Sequence, residues 1–495
     1  LKILGLMFID GMVRGMCSDA EEGGSRILSV ISVTTLASFL TGLNARLAVV
    51  GLPIIASALN ADVDMMLWII QGYMFGSTII QLIIGRLSDL YGRVRLFNLG
   101  FLIFICAAVL AGFAPNPYVL IVARMIQGVG GALLMTLSVT ILTDNVPRNS
   151  LATWLGVNQV AWRVGAVAGL SLSGVIIDVM GWRWIYLIYV PIGFIFYLWG
   201  MHTLKEAYKP EEKPRIDLGG FTLFTAFLIS ILLSLTMFTS GITYIQMASI
   251  LLVLSLIFLA IFVLWEIRIQ QPALDLRLFK IWQFTGGITA QLLYSIGFGS
   301  FSTLLVLYLE IVRGFSATSS GLLLIPFEAS YLVCGVLGGR LSDKYGYVPV
   351  TVIGLISSAT AFLGLSTINP SSNVNMIIFY EVMFGFGTGL FLSPNTSSIM
   401  TSVPAGKRGV ASSIRAVSAN IGMLLSLNVA ILSMVQYIPY DVASALISSG
   451  GAEGLGGYTL ADLSNAIAKS FMTQALAMLA AIPFSLSRAI KRVRS

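Results

Sequence analysis

Long apolar runs alternate with short polar breaks along the whole chain. The runs fall at 27–50, 66–86, 96–114, 117–141, 150–178, 182–202, 217–239, 245–265, 283–310, 318–340, 348–367, 374–399, 408–436 and 468–487. Each has about the 20 residues that a helix needs to cross a hydrocarbon layer roughly 30 Å thick. Backbone N–H and C=O groups find no water there, so apolar runs of this length satisfy them internally as helices. The pattern predicts an all-α integral membrane protein with fourteen transmembrane helices. One longer break, 437–467, holds a turn cluster from Gly450 to Gly457. It reads either as a short interfacial helix over the last span or as an unstructured loop.

The polar breaks repeat. Gly85-Arg86-Leu87-Ser88-Asp89-Leu90-Tyr91-Gly92 and Gly339-Arg340-Leu341-Ser342-Asp343-Lys344-Tyr345-Gly346 differ at a single position and lie 254 residues apart (339 − 85). Arg124-Met125-Ile126-Gln127-Gly128-Val129-Gly130 pairs with Glu381-Val382-Met383-Phe384-Gly385-Phe386-Gly387 at an offset of 257, and Gly165 pairs with Gly422 at the same offset. A nearly constant offset means two related halves in one orientation, an organisation typical of secondary transporters. The expected order is a cytoplasmic tail (1–26), an N-terminal six-helix bundle (27–202) and a linker with two extra helices that lack a repeat partner (203–282). A C-terminal six-helix bundle (283–487) and a basic cytoplasmic tail (488–495) follow.

Composition sharpens this picture. Hydrophobic residues form 57% of the chain and charged residues 10%, with a mean hydropathy of +0.91. A soluble domain carries about 25% charged residues. The net charge of +7 (29 − 22) does not point to nucleic acid, because the basic residues cluster in loops on one face. Arg86, Arg93, Arg95, Arg148, Lys205, Arg268, Lys280, Arg340, Lys344, Lys407 and Arg408 all fall there. The opposite face holds chiefly Arg183, Arg313 and Lys469. By the positive-inside rule the protein is a multi-pass protein of the cell membrane with both termini cytoplasmic. Three cysteines and a single histidine, His202, leave no histidine metal site or catalytic triad, and no phosphate-binding loop or nucleophile elbow is present. No enzyme activity, cofactor or metal is expected, and energy must come from ion or substrate gradients unless a separate subunit supplies it.

Several segments resemble the major facilitator superfamily and, within it, the fourteen-span drug:proton antiporter-2 family. They are Gly85–Arg95, Leu43–Pro53, Trp68 with Tyr73, Arg124-x-x-Gln127-Gly128, and Trp182 through Gly193. The resemblance covers residues 27–487. It implies two six-helix bundles plus two extra helices, working by alternating access as a proton-coupled, multidrug-like exporter of hydrophobic or amphipathic compounds. Two features depart from the family pattern. Asn44 stands where the family carries aspartate, with Arg46 replacing a neutral residue, and Leu170 follows Gly165-x-x-x-Gly169 where a proline is usual.

Candidate site residues follow from charge in apolar surroundings. A charge near the middle of a span costs about 3 kcal/mol even on insertion scales, so such residues face a cavity and pair, or snorkel to the interface. Arg46, Arg124, Arg163, Glu328, Glu381 and Arg415 are in this position, with Asn44, Gln127 and Asn420 as polar neighbours, and together they form the expected proton-coupling and substrate cavity. Glu328 has two open readings, a proton carrier or one half of a fixed ion pair with Arg46 or Arg415. Gly85, Arg86, Asp89, Gly92 and Arg93, with their counterparts Arg340, Asp343 and Gly346, form the expected conformational latch. In it Asp89 accepts from Arg93 or from the N-terminus of a neighbouring span. Gly165 and Gly169 are expected to pack helices. The partners are a small-molecule substrate, protons and the lipid bilayer, and the protein is expected to be a monomer. The alternative function is transport of one organic anion or metabolite, for which arginine is the natural clamp.

Overall fold

A computed structural model describes residues 21–50, 52–59, 61, 63–206, 217–239, 242–269, 272, 274, 276–443 and 457–489. These residues form helices joined by short turns, with no strand among them. The long helices, in chain order, begin with α1 (Glu21–Val50), α2 (Val63–Tyr91), α3 (Arg93–Gly112), α4 (Pro117–Asn145), α5 (Leu151–Met180), α6 (Trp184–Thr203), α7 (Leu218–Thr239) and α8 (Ile245–Arg268). After them come α9 (Trp282–Val312), α10 (Ser319–Tyr345), α11 (Tyr347–Leu365), α12 (Val374–Thr401), α13 (Arg408–Met434) and α14 (Leu460–Leu486). Among the described residues twelve segments are long and apolar enough to cross a bilayer. The two others, α2 and α5, have 29 and 30 residues.

Local chemistry sets the ends. Asn116 caps α4 by accepting from the Val119 N–H at 3.0 Å, with Pro117 in the first turn where a missing N–H costs nothing. Thr459 and Asp462 form a reciprocal capping box that starts α14 at Leu460, eight residues before the apolar run at 468. Hydropathy overlooked this first stretch because Asp462, Ser464, Asn465 and Lys469 are polar. At the other end of α14, Arg488 is not part of a free basic tail. It is buried, donating to Asn395 Oδ1 (2.8 Å), Ser398 Oγ (3.2 Å), Thr351 Oγ1 (3.3 Å) and Ser485 Oγ (2.6 Å). At the N-terminal end α1 is helical from Glu21, and its apolar span begins at Ile27.

Three helices are interrupted. α6 is broken at Ile188, between Trp184–Leu187 and Tyr189–Thr203. α10 is broken at Leu324, between a first piece that starts at Ala317 and ends at Leu323, and Ile325–Tyr345. Pro326 has no N–H and its ring crowds the preceding turn, so the ladder breaks there. α9 has a turn at Gly299–Ser300 and ends in a π-helical turn, Tyr308–Val312.

Packing follows the repeat. α1 lies against α5, α4 and α6, while α4 packs between α2 and α3; α10 and α11 both pack on α12, and α14 contacts α9, α11 and α13. Between α1 and α5 the approach is backbone to backbone, because a Cβ at Gly165 would lie 2.2 Å from the Phe39 carbonyl oxygen. Gly169, on the same helix, is buried too. In the second half, Phe301, Phe327 and Phe384 form an aromatic core with ring centroids 4.6–5.1 Å apart. The hairpin α7–α8 meets the rest through α7, which touches α13 and α2.

Two antiparallel helix pairs join the halves: α5 with α10, and α2 with α13. Along α5–α10 the matched positions are Asp343 with Ala152 and Thr153, Gly335 with Gly156, Tyr331 with Gln159, and Glu328 with Arg163. Along α2–α13 they are Asp89 with Gly409 and Val410, Gly85 with Ser413, and Thr78 with Asn420.

Candidate functional site

The repeated octapeptide ends α2 in one half and α10 in the other. Gly92 and Gly346 close these helices with φ of 101° and 87°, in the left-handed region that favours glycine. One turn earlier, each aspartate reaches across to the first turn of a helix in the other half. Asp89 accepts from the N–H groups of Gly409 (3.1 Å) and Val410 (3.2 Å) at the start of α13. Asp343 accepts from Ala152 (3.1 Å) and Thr153 (2.9 Å) at the start of α5, and from the Thr153 hydroxyl (2.6 Å). A helix N-terminus carries unpaired donors and partial positive charge, so a carboxylate is its natural partner. Such proximity needs glycine. A Cβ at Gly85 would stand 2.7 Å from the Gly409 carbonyl oxygen, and one at Gly339 would stand 2.4 Å from that of Ala152.

The two copies differ in their ionic support. Asp89 is buried and takes a second bond from Arg93 Nη2 at 2.7 Å. Arg93 also pairs with Asp144 and donates to the Ala405 carbonyl across the junction. Asp144 in turn binds Arg408 at 2.8 Å, so Asp89, Arg93 and Asp144 of the first half alternate in charge with Arg408 of the second in one network. Glu206 caps α3 by accepting from the N–H groups of Arg93 and Val94, both at 3.0 Å. Asp343 has no comparable cation among the described residues. It borders a cavity of about 320 Å³ lined in part by Arg148, Gln283, Tyr347 and Thr401. Arg86 and Arg340, expected in the latch, make no ion pair with a described residue. Arg86 is half-buried and Arg340 exposed.

Further along α2 and α4 a second cluster forms. Arg124 donates to Asn44 Oδ1 (2.8 Å), Gln127 Oε1 (2.7 Å) and the Ile69 carbonyl (3.2 Å), and lies 5.0 Å from the Tyr73 ring centroid. Asn44 and Gln127 thus serve as ligands to a buried arginine. The side chain of Arg46 lies outside the described residues.

The third cluster joins the halves. Arg163 of α5 pairs with Glu328 of α10 at 2.8 Å. Its guanidinium rests among the rings of Trp162, Phe298, Phe327 and Tyr331 at 4.8–5.6 Å. Of the two readings of Glu328, the ion pair is the one formed in this conformation, but its partner is Arg163 of the facing helix, in place of the expected Arg46 or Arg415. Asn420, 257 residues after Arg163, donates to Thr78 Oγ1 at 2.8 Å across the other junction. Arg415 is half-buried and has no ion pair among the described residues. Glu381 is fully buried, with the Phe327 backbone N–H near its carboxyl and no ion pair among the described residues.

The sequence pattern of the Major Facilitator Superfamily matches residues 34–427. The chain belongs to this superfamily. Its family and fold are those of transporters rather than enzymes. Among similar proteins, the riboflavin transporter RibZ of Clostridioides difficile is 28% identical over 396 residues, covering 80% of this chain and 86% of its own length. Multidrug resistance protein 3 of Bacillus subtilis is 29% identical, with 74% and 72% coverage. The crystal structure of the human organic anion transporter MFSD10 superposes with a TM-score of 0.63 at 17% identity, covering 93% of this facilitator and 99% of its own chain. At that identity the likeness is one of fold.

Asp144, Arg408 and Glu206 in the latch, and the aromatic rings around Arg163, are absent from the candidates drawn from sequence. Asp144 carried a usable signal, as a lone acid in a loop on the basic face. The rings carried none, since phenylalanine and tyrosine are abundant in every span.

Proposed function

We propose that this facilitator is a proton-coupled exporter of hydrophobic or amphipathic small molecules, of the fourteen-helix drug:proton antiporter-2 type, acting as a monomer in the cell membrane. The basic end that carries Asp89 and Asp343 faces the cytoplasm, with both termini on that side. Helices α1–α6 and α9–α14 are the two moving bundles, and α7–α8 is an accessory hairpin. The observation that carries this reading is the Arg163–Glu328 pair, set in the junction between halves and ringed by Trp162, Phe298, Phe327 and Tyr331. Aromatic walls with few fixed charges accept varied apolar compounds, and an ion pair between bundles is broken and remade as they rock. The likeness to Multidrug resistance protein 3 supports it.

A second reading, transport of one organic anion or metabolite, draws on Arg415, an intramembrane cation without an acidic partner among the described residues. Similarity to a riboflavin transporter points the same way. One experiment separates the two. Purified protein in liposomes is given an imposed pH gradient and offered a lipophilic dye, riboflavin and a set of organic anions. The export reading expects gradient-driven movement of the dye. Movement of a single anion with no effect on the dye would replace it by the second reading.

A further inference from the structure

Glu381 is a fully buried carboxyl with no ion pair among the described residues. It lies seven residues beyond the first residue of α12, as Arg124 lies seven beyond the first residue of α4. The two positions are equivalent, 257 residues apart. At this one place in the fold the two halves carry opposite charges and opposite surroundings. Arg124 is enclosed by Asn44, Gln127, the Ile69 carbonyl and the Tyr73 ring. Glu381 is 0% exposed, with the Phe327 backbone N–H near its carboxyl but no basic side chain within 4 Å among the described residues. A charge that is permanent acquires partners, as Arg124 has. An ionised carboxylate at such burial, facing the Phe327 backbone N–H but no cation among the described residues, is strongly disfavoured, so the carboxyl is neutral in this conformation.

Its position ties it to the moving parts. One turn along α12, a Cβ at Gly385 would lie 2.4 Å from the Phe327 carbonyl oxygen of α10, and Ser330 donates to the Val382 carbonyl at 2.7 Å. Glu381 therefore packs beside the break that Pro326 makes in α10. That same helix carries Glu328, bound to Arg163, and Asp343, bound to α5. Any shift of α10 that opens the latch also changes what Glu381 faces. The titratable groups that α12 and its packed neighbours bring to this level are Tyr380 on α12, Glu328 and Tyr331 on α10, Tyr294 on α9, Arg163 on α5 and Arg415 on α13. α11 brings only Tyr347, at its first residue, and α4 brings Arg124, already engaged.

We infer that Glu381, rather than the paired Glu328, carries the coupling proton, and is protonated while the Asp89/Asp343 end is closed. This rests on the proton-coupled reading above. Water on the side away from the latches supplies the proton, which forms an O–H bond on the carboxylate. When the latches release, the carboxylic acid gives the proton to water on their side, leaving a carboxylate.

Infrared difference spectroscopy of the reconstituted protein tests the protonation state, and gradient-driven transport tests the role. Wild type at neutral pH is expected to show a buried carboxylic-acid carbonyl band, lost in Glu381→Gln and kept in Glu328→Gln. Transport of the lipophilic dye driven by a pH gradient is expected to fall by about 10²-fold in Glu381→Gln, with dye binding and downhill exchange retained. A band that persists in Glu381→Gln, or gradient-driven transport that survives in it, overturns the inference. Should Glu381→Gln fail to fold, a band that shifts in Glu381→Asp and persists in Glu328→Gln supports the assignment, and its loss in Glu328→Gln overturns it. Wild type that moves dye with no response to the gradient defeats the proton-coupled reading itself, wherever the proton resides.

Discussion

Replacing Asp89 by asparagine should weaken closure of one end of the transporter far more than it weakens the fold. Asp89 Oδ1 accepts from Arg93 Nη2 and the Gly409 N–H, and Oδ2 accepts from the Val410 N–H. Asparagine keeps one oxygen and turns an NH₂ group toward groups that are all donors. The two bonds to α13 lose their charge assistance, worth about 1 kcal/mol each, and the start of α13 loses a facing negative charge worth about 1 kcal/mol more. The sum, about 3 kcal/mol, is roughly a 150-fold shift in the closed-to-open equilibrium. Gly409 and Val410 belong to the opposite half, so this loss falls on closure, while Arg93 retains Asp144. Ser413, fully buried against Gly85, is the reporter. In a chain freed of Cys17, Cys106 and Cys334, a Ser413→Cys side chain is modified by a polar maleimide only when the junction opens. Labelling of the solubilised protein should accelerate strongly with Asp89→Asn. Asp343→Asn should act in the same direction but less, because Asp343 lacks an ionic network and sits beside a polar cavity. Unchanged labelling in a well-folded Asp89→Asn protein would refute the reasoning.

Three further outcomes are expected. Gly339→Val places a branched side chain against the Ala152 carbonyl, so the protein should fold yet stall with that end open, seen as rapid labelling at the junction and lost transport; normal transport would show that the junction tolerates separation. Arg163→Glu should impair transport, and adding Glu328→Arg should restore part of it, since the reversed pair spans the same 2.8 Å contact; no rescue in the double variant would mean that the rings recognise the guanidinium itself. Arg124→Ala leaves the Asn44 and Gln127 oxygens without their donor and should cost about 2–4 kcal/mol, read as a lower thermal unfolding midpoint, whereas an unaltered midpoint would deny Arg124 a structural role.

Much of this molecule was legible because bilayer chemistry leaves few choices. Apolar length gave the helices, and the repeated octapeptide placed Asp89 and Asp343 where both meet a helix start. The α14 boundary was missed because a capping box, not hydropathy, begins it. What stayed hidden was the choice of partner. Arg163 and Glu328 are 165 residues apart, and no periodicity within either half relates them. Gln127 was readable as a neighbour of Arg124, three residues away on the same helix face. Asn44 was not, and its substitution for an acid makes sense only beside that arginine, whose other ligands are also neutral.

The α7–α8 hairpin gives the molecule two unlike flanks. Through α7 it covers the side where α2 meets α13, while the side where α5 meets α10 presents Val333, Leu337 and Leu341 directly outward, with no comparable hairpin among the described residues. Acyl chains therefore touch one seam and are held away from the other. A compound already dissolved in the membrane meets the junction between bundles from a single flank, so lateral entry from lipid is one-sided although the two halves themselves are near-repeats.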